Sequence, residues 1–267
     1  MRTYEDIEYC RRGDDPQFLD LYLPDNQPRA MVVYAHGGGF RQGSRKNDTI
    51  PLLAQILTQR GVMVASAGYR LNTGMDAFGQ SDRIYIRDNA ERTLEYLPCL
   101  RKKPHLCGSE FEAACRDINE AVRFCRHAGA EFGLKDAPIG YIGMSAGGIA
   151  GLNLAHLQFS DPAVAAAYHQ DGVPDAVLSV SAAMVQPWLL GPKGSPAILF
   201  NTRQDRILEF ENAKATERHA RESGADLILM ESAKKGHIRQ LDYLVKQVQP
   251  IGQHDRNLIT EFLTLLH

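Results

Sequence analysis

The stretch Pro138-Ile139-Gly140-Tyr141-Ile142-Gly143-Met144-Ser145-Ala146-Gly147-Gly148 constrains this chain more than any other. A short apolar run fit for a buried strand stops at Ser145. The residues from Ile149 to Ala155 are then small and apolar on nearly every face, as in a helix packed inside against a sheet. Gly143-x-Ser145-x-Gly147 is the spacing of a sharp strand-to-helix corner, whose central serine takes strained backbone angles that lift its hydroxyl clear of the sheet edge. The residues two before and two after that serine approach so closely that a β-carbon at either place would clash, so Gly143 and Gly147 are steric requirements. A bare Gly-x-Ser-x-Gly also occurs in ordinary strand-loop-helix segments. The strand before and the buried helix after are the context that separates the two.

Around this corner, strand and helix patterns alternate. Residues 4–10 and 17–23 form a hairpin pattern about Arg12-Gly13-Asp14-Asp15-Pro16. Ala30 to Ala35 and Val62 to Ala67 are continuous apolar runs of the kind buried on both faces. Between them the pattern predicts a helix from Asp48 or Thr49, with Pro51 in its first turn, Leu53, Ile56 and Leu57 on one face, and Gly61 past its end. From Asp117 the positions Ile118, Ala121, Val122, Cys125 and Ala128 follow helical spacing up to Gly129. Later strands are expected at 176–181, 197–201 and 225–230, with helices over 210–222 and a last one presenting Leu258, Ile259, Phe262 and Leu265. This is the pattern of an α/β protein with a mostly parallel sheet covered by helices on both faces. The 267 residues suit one domain, with residues 72–114, charged and interrupted by Pro98 and Pro104, forming a partly helical inserted cap. The loop holding Trp188 is a place for a second lid element.

A serine hydroxyl is a weak nucleophile at neutral pH, so a corner serine needs a histidine base and a carboxylate to hold that histidine's tautomer. In chain order the acid and then the histidine should follow. Asp205 comes directly after an apolar strand, where a parallel sheet presents its binding edge; its bland reading is an acid at a helix N-terminus. Glu209 is the reserve candidate. His237 falls a few residues past the last strand before the final helix. Its competitor His254 follows no strand, and His219, between Arg218 and Arg221, reads as a solvated histidine. The glycines of His36-Gly37-Gly38-Gly39-Phe40, immediately after a buried strand, let main-chain N–H groups turn toward a small anion such as a tetrahedral oxyanion. A phosphate loop is the alternative, but Gly-x-x-x-x-Gly-Lys-Ser/Thr is missing; the histidine in front is expected to brace the loop.

Together, His-Gly-Gly-Gly-Phe, Gly-Met-Ser-Ala-Gly-Gly, the late Asp and the late His resemble the α/β-hydrolase fold and, within it, the carboxylesterases. Leu19 to Pro24 and His36 to Gly43 are most similar to small bacterial acetyl or feruloyl esterases, and more loosely to hormone-sensitive-lipase-like esterases, which often carry Asp or Glu where this chain has Met144. The resemblance covers all but residues 72–114. It implies oxyanion donors at the N–H groups of Gly38, Gly39 and Ala146, a catalytic trio of Ser145, Asp205 and His237, a small-molecule ester substrate, and neither metal nor organic cofactor. Two other readings stay open: a peptidase or amidase on the same scaffold, and a hydrolase-fold protein that binds a ligand without catalysis.

A formal net charge of −2 gives no basic field for nucleic acid or an anionic membrane, and no apolar run approaches the roughly 20 residues of a membrane span. A cytoplasmic chain with reduced thiols is expected. Export remains open, as do a bridge among Cys99, Cys107 and Cys115 and a homo-oligomer. The charges of the cap, among them Arg83, Arg87, Asp88, Glu91, Arg92 and Glu95, do not suit an interfacial lid, so acyl groups of about two to six carbons are expected.

Overall fold

The structure, a computed structural model, describes residues 1–233, 236–237 and 257–266. Among these residues eight strands form one sheet in the order β1-β2-β4-β3-β5-β6-β7-β8. They are β1 (Arg2–Arg12), β2 (Asp15–Leu23), β3 (Ala30–Ala35), β4 (Val62–Ala67), β5 (Ile139–Met144), β6 (Ala176–Val180), β7 (Ala197–Asn201) and β8 (Leu227–Glu231). The hairpin β1–β2 is antiparallel and joins β4 antiparallel, whereas β4, β3, β5, β6, β7 and β8 run parallel. From β3 the chain winds outward to β4 and then returns to place β5 on the other side of β3. The direction of winding therefore reverses between β3 and β5, which opens a crevice at their carboxyl ends. The glycine loop at 36–40 leaves β3 there, and Ser145 leaves β5.

Seven helices lie among the described residues: α1 (Thr49–Thr58), α2 (Gln80–Tyr96), α3 (Ser109–Ala128), α4 (Ala146–Ala155), α5 (Pro162–Ala167), α6 (Phe210–Ser223) and α7 (Leu258–Leu263). Because strand side chains alternate between faces, β3 sends Met31, Val33 and Ala35 into one core and Val32 and Tyr34 into another. The first core is closed by α3, α4 and α6 through Ile118, Ile149, Leu152 and Ala213. The second is closed by α1 and α7 through Leu53, Leu57, Leu258, Ile259 and Phe262. Every residue of α4 is buried, as its composition demands.

Two helix boundaries differ from expectation: α7 ends at Leu263, short of Leu265, and α3 starts early. Helix α3 begins at Ser109, eight residues before Asp117, so residues 109–114 belong to a core helix. Its first turns carry Glu110, Glu112 and Arg116, which look solvent-facing as a string of letters. In the fold Phe111, Ala114 and Cys115 face the core, and the 3 % exposed Glu112 accepts from Arg116 at 2.8 Å. The helix is tied to the segment after β4 by Arg70, whose Nε and Nη2 donate to Asp117 at 2.8 and 2.9 Å. The loop with Trp188 packs on α2, its ring under Arg92 at 4.3 Å and beside Tyr96. All five cysteines are free thiols. No described helix is long and apolar enough to cross a membrane.

His156, the residue that ends α4, is buried, and neither ring nitrogen has a hydrogen-bond partner among the described residues. Burial pulls its pKa down from 6.5 to about 4. The unfolded chain therefore binds the extra proton between those values, and stability falls as pH drops from 6.5 toward 4. The cost amounts to roughly 3 kcal/mol when the window is crossed. The expected result is that urea midpoints at pH 5 and pH 7.5 lie closer together for His156→Met than for the unsubstituted chain. An unchanged pH dependence would show that other groups carry the acid sensitivity.

Candidate active site

Ser145 has φ 51° and ψ −114°, a left-handed strained corner between β5 and α4. The corner is held by main-chain bonds on both sides: Ser145 N–H donates to Val180 O at 2.8 Å and Gly147 N–H to His36 O at 3.1 Å. Tyr141 adds its hydroxyl to Gly147 O at 2.6 Å. A β-carbon on Gly143 would sit 2.4 Å from Gly147 O, the clash the motif predicts. The one on Gly147 would meet Ala35 O at 2.4 Å, so this second glycine is demanded by β3 and not by its partner glycine. Gly143→Ala is expected to lower stability by about 3 kcal/mol or more, because both nearest atoms are backbone and have no rotamer to escape into. Unfolding in urea checks this; a loss below about 1 kcal/mol would mean that the corner opens more easily than its geometry implies.

The structure brings the three candidate side chains together. His237 Nε2 lies 2.7 Å from Ser145 Oγ, and His237 Nδ1 lies 2.6 Å from Asp205 Oδ2. An ionised carboxylate only accepts, so Nδ1 carries the proton and Nε2 is left to accept from the serine hydroxyl. Asp205 is buried, and its other oxygen accepts from the N–H groups of Ile207 and Leu208 at 2.8 and 2.9 Å. The carboxylate therefore shapes the loop after β7 and orients the imidazole at once; it does not sit at a helix N-terminus, since α6 starts at Phe210 with Glu209 as its cap. Glu209 is exposed at the start of α6, and no hydrogen bond joins it to His237. His219, on α6, is half-buried with its ring edge-on to Tyr96, less solvated than the sequence suggests. His254 lies outside the described residues.

Beside Ser145 the glycine loop bends through positive φ at Gly38 (115°), Gly39 (64°) and Phe40 (60°). Among the described residues the N–H groups of Gly38, Gly39 and Ala146 have no hydrogen-bond partner. Ala146 is the first residue of α4, where the helix end adds positive potential. His36 braces the loop as expected: burial lowers its pKa and keeps it neutral, and Nδ1 donates to Gly37 O at 2.6 Å. Tyr69 stacks on its ring at 4.3 Å between centroids and donates to His36 O at 2.8 Å. Phe40, fully buried, anchors the far end against Tyr69 and Phe111.

Two contributors escape the sequence reading. Ser181, buried just past β6 at φ 52°, donates to the carbonyl of His237 at 2.9 Å and so fixes the backbone under the imidazole. Its signal is faint, a serine at a strand's carboxyl end. His105, on a single 3-10 turn at Pro104–Leu106, lines the cavity over Ser145 together with Lys103 and Leu106. That cavity measures about 860 Å³ and also takes in Tyr34, Arg41, Met144, Ile149 and Leu208. Trp188 does not line it.

Comparison with solved structures matches this arrangement of strands and helices to esterase 2 of Thermogutta terrifontis. The paraoxon-phosphorylated form superposes with a TM-score of 0.65 at 16% identity, covering 98% of this chain and 91% of that one. The butyrate-bound form gives 0.65 and 16%, and the apo form 0.64 and 17%, with the same coverage. The chain has the α/β-hydrolase fold. Neither a protein-family model nor a curated protein sequence matches it. At such identity the fold is shared while the side chains of the site have to be argued from this chain alone, where the hydrogen-bonded series Asp205, His237, Ser145 is the chemically distinctive feature.

Proposed function

We propose that this chain is a serine esterase that cleaves short-chain carboxylic esters through an acyl-enzyme. The observation that carries the reading is the unbroken series from Asp205 through His237 to Ser145, at 2.6 and 2.7 Å, beside three N–H groups without partners among the described residues. Ser145 Oγ attacks the ester carbonyl as His237 Nε2 takes its proton, and Asp205 stabilises the resulting imidazolium. The carbonyl oxygen, now carrying the negative charge, receives hydrogen bonds from Gly38, Gly39 and Ala146. His237 then protonates the alkoxide as the carbon–oxygen bond breaks. Water repeats the sequence on the acyl-enzyme and releases the acid. The solved neighbours support the class: they are esterase 2 bound to butyrate or propionate, or phosphorylated by paraoxon.

In this reading residues 72–108 act as a cap whose last turns before α3 wall the cavity through Lys103, His105 and Leu106. Helix α2 buries only Ile86 and Thr93 and offers no broad apolar face to a lipid surface. Each further methylene gains about 0.8 kcal/mol only while an apolar groove receives it, so the gain should stop after about six carbons. The five free cysteines fit a reducing compartment, and the cytoplasm is the proposed location.

The test is labelling with a fluorophosphonate probe and mapping of the modified peptide, together with kcat/KM for p-nitrophenyl esters from acetate to palmitate. A label on Ser145 and a maximum at two to six carbons are expected. An unlabelled Ser145 with no turnover would favour a binding protein, and a maximum at ten carbons or longer would remove the short-acyl part of the proposal.

A further inference from the structure

The cavity over Ser145 has one wall for which the hydrolysis of a simple ester has no use. It is built from Arg41, which follows the glycine loop, and from Lys103 and His105 of the segment before α3. His105 hangs over the glycine loop: a β-carbon built on Gly39 would come within 3.3 Å of its Nε2. The imidazole is half-buried and has no hydrogen-bond partner among the described residues. The charges that bear on it are Arg41, Glu110 and Lys103. Burial, Arg41 and Lys103 hold its pKa below 6.5, so at neutral pH it presents one N–H and one acceptor nitrogen.

The two cations keep donors in reserve. Arg41 gives Nε and Nη2 to Glu110 Oε1, at 3.3 and 2.9 Å, which leaves Nη1. Lys103 gives one of its three N–H groups to the carbonyl of Ile207. The acidic residue that lines the same cavity is Asp48, at the start of α1. Glu110, which does not itself line the cavity, pairs with Arg41 and so answers only one of the two cations. An uncharged ester would leave Nη1 of Arg41, two ammonium hydrogens and the His105 ring without use. A substrate carboxylate would engage them together, in a cleft that concentrates the field.

We propose, on the serine-esterase reading above, that Arg41, Lys103 and His105 form an anion-recognising wall that selects esters bearing a carboxylate away from the scissile bond. His105 and Lys103 are then specificity-determining residues contributed by the segment 72–114. A merely structural Lys103 would tie that segment to the loop of Asp205 and would not respond to substrate charge.

The test uses Ser145→Ala, so that binding is read without turnover. Calorimetric titration compares 4-acetoxybenzoate with its uncharged methyl ester, and monoethyl adipate with diethyl adipate, which place the charge in the alcohol and acyl halves respectively. In at least one pair the carboxylate form is expected to bind at least about tenfold more tightly in 20 mM NaCl, with the advantage shrinking several-fold in 0.5 M NaCl. Lys103→Met with Arg41→Gln should bring the ratio below about threefold, and Lys103→Arg should retain most of it. The products 4-hydroxybenzoate and methyl 4-hydroxybenzoate, titrated into the unsubstituted chain, give the same comparison should a variant fail to fold. Equal affinities within both pairs, tighter binding of the neutral forms, no measurable binding of any of them, or a ratio indifferent to salt and to the double substitution would each overturn the anion wall. Turnover is scored separately: failure of the unsubstituted chain to hydrolyse any of the four esters would count against the esterase reading, while the affinity ratios still decide this one.

Discussion

Ser145→Ala and His237→Ala are each expected to lower kcat for ester hydrolysis by about 10⁴- to 10⁶-fold while the chain stays folded. The size follows from the chemistry. Without Nε2 at 2.7 Å the hydroxyl keeps its proton, and without Oγ the base has nothing to activate. What survives is the contribution of the N–H groups of Gly38, Gly39 and Ala146 and of binding, which do not depend on either side chain. Because the two act as a unit, the double substitution should be no slower than either single one. Folding should be spared, since the corner is fixed by backbone bonds to Val180 and His36, not by the hydroxyl. Rates with p-nitrophenyl acetate and urea unfolding curves check both statements. Near-normal turnover by folded His237→Ala, with activity lost instead in His254→Ala, would show that the base had been misassigned.

The parts of the site that can be read in the sequence are those where geometry restricts residue type at short range. A strained serine between two glycines leaves its signature within five letters, because the clashes at Gly143 and Gly147 tolerate nothing larger. A loop through positive φ at Gly38 and Gly39 does likewise. Asp205 and His237 carry no such local mark; they are legible only because alternating strand and helix patterns fix where the carboxyl edge of the sheet must be. The order of strands, with its reversal between β3 and β5, is a long-range property that periodicity does not encode.

What stayed hidden depends on contacts between distant segments. Ser181 meets His237 across 56 positions, and Tyr69 meets His36 across 33, through bonds that any serine or tyrosine could make or not make. The early start of α3 was masked because Glu112 and Arg116 pair with each other in a mostly buried setting, so charge in the sequence did not mean solvent in the fold. His105 sits on one turn of 3-10 helix in the segment with the weakest pattern, and only the fold brings it over Gly39. The division of labour has a consequence for substrate choice. On the proposed esterase reading the bond-breaking groups lie on the sheet edge, whereas Lys103 and His105 come from the segment before α3, so substitutions there should alter selectivity more than the chemical step.

Asp205→Asn is expected to reduce kcat by about 10⁴-fold, and the reason lies in what its two oxygens already do. Oδ1 accepts from the N–H groups of Ile207 and Leu208, and Oδ2 faces Nδ1 of His237. An asparagine has one oxygen and one NH₂ to divide between these places. Turning the NH₂ toward Ile207 and Leu208 would set donor against two donors in a buried site, a desolvation penalty of about 1–3 kcal/mol for each unpaired group. The oxygen therefore stays with the loop, and the NH₂ faces His237. Nδ1 must then accept, the ring proton moves to Nε2, and that nitrogen can no longer take the proton of Ser145. The loop keeps its bonds, so the loss should fall on kcat with little change in KM or in the urea midpoint. Raising the pH should not restore activity, because the defect is the tautomer of a neutral ring and not its charge. A variant that retains more than about a tenth of the rate would mean that Asp205 shapes the loop without setting the tautomer of His237, and a collapse of the urea midpoint would mean that the loop, and not the imidazole, is what its carboxylate chiefly holds.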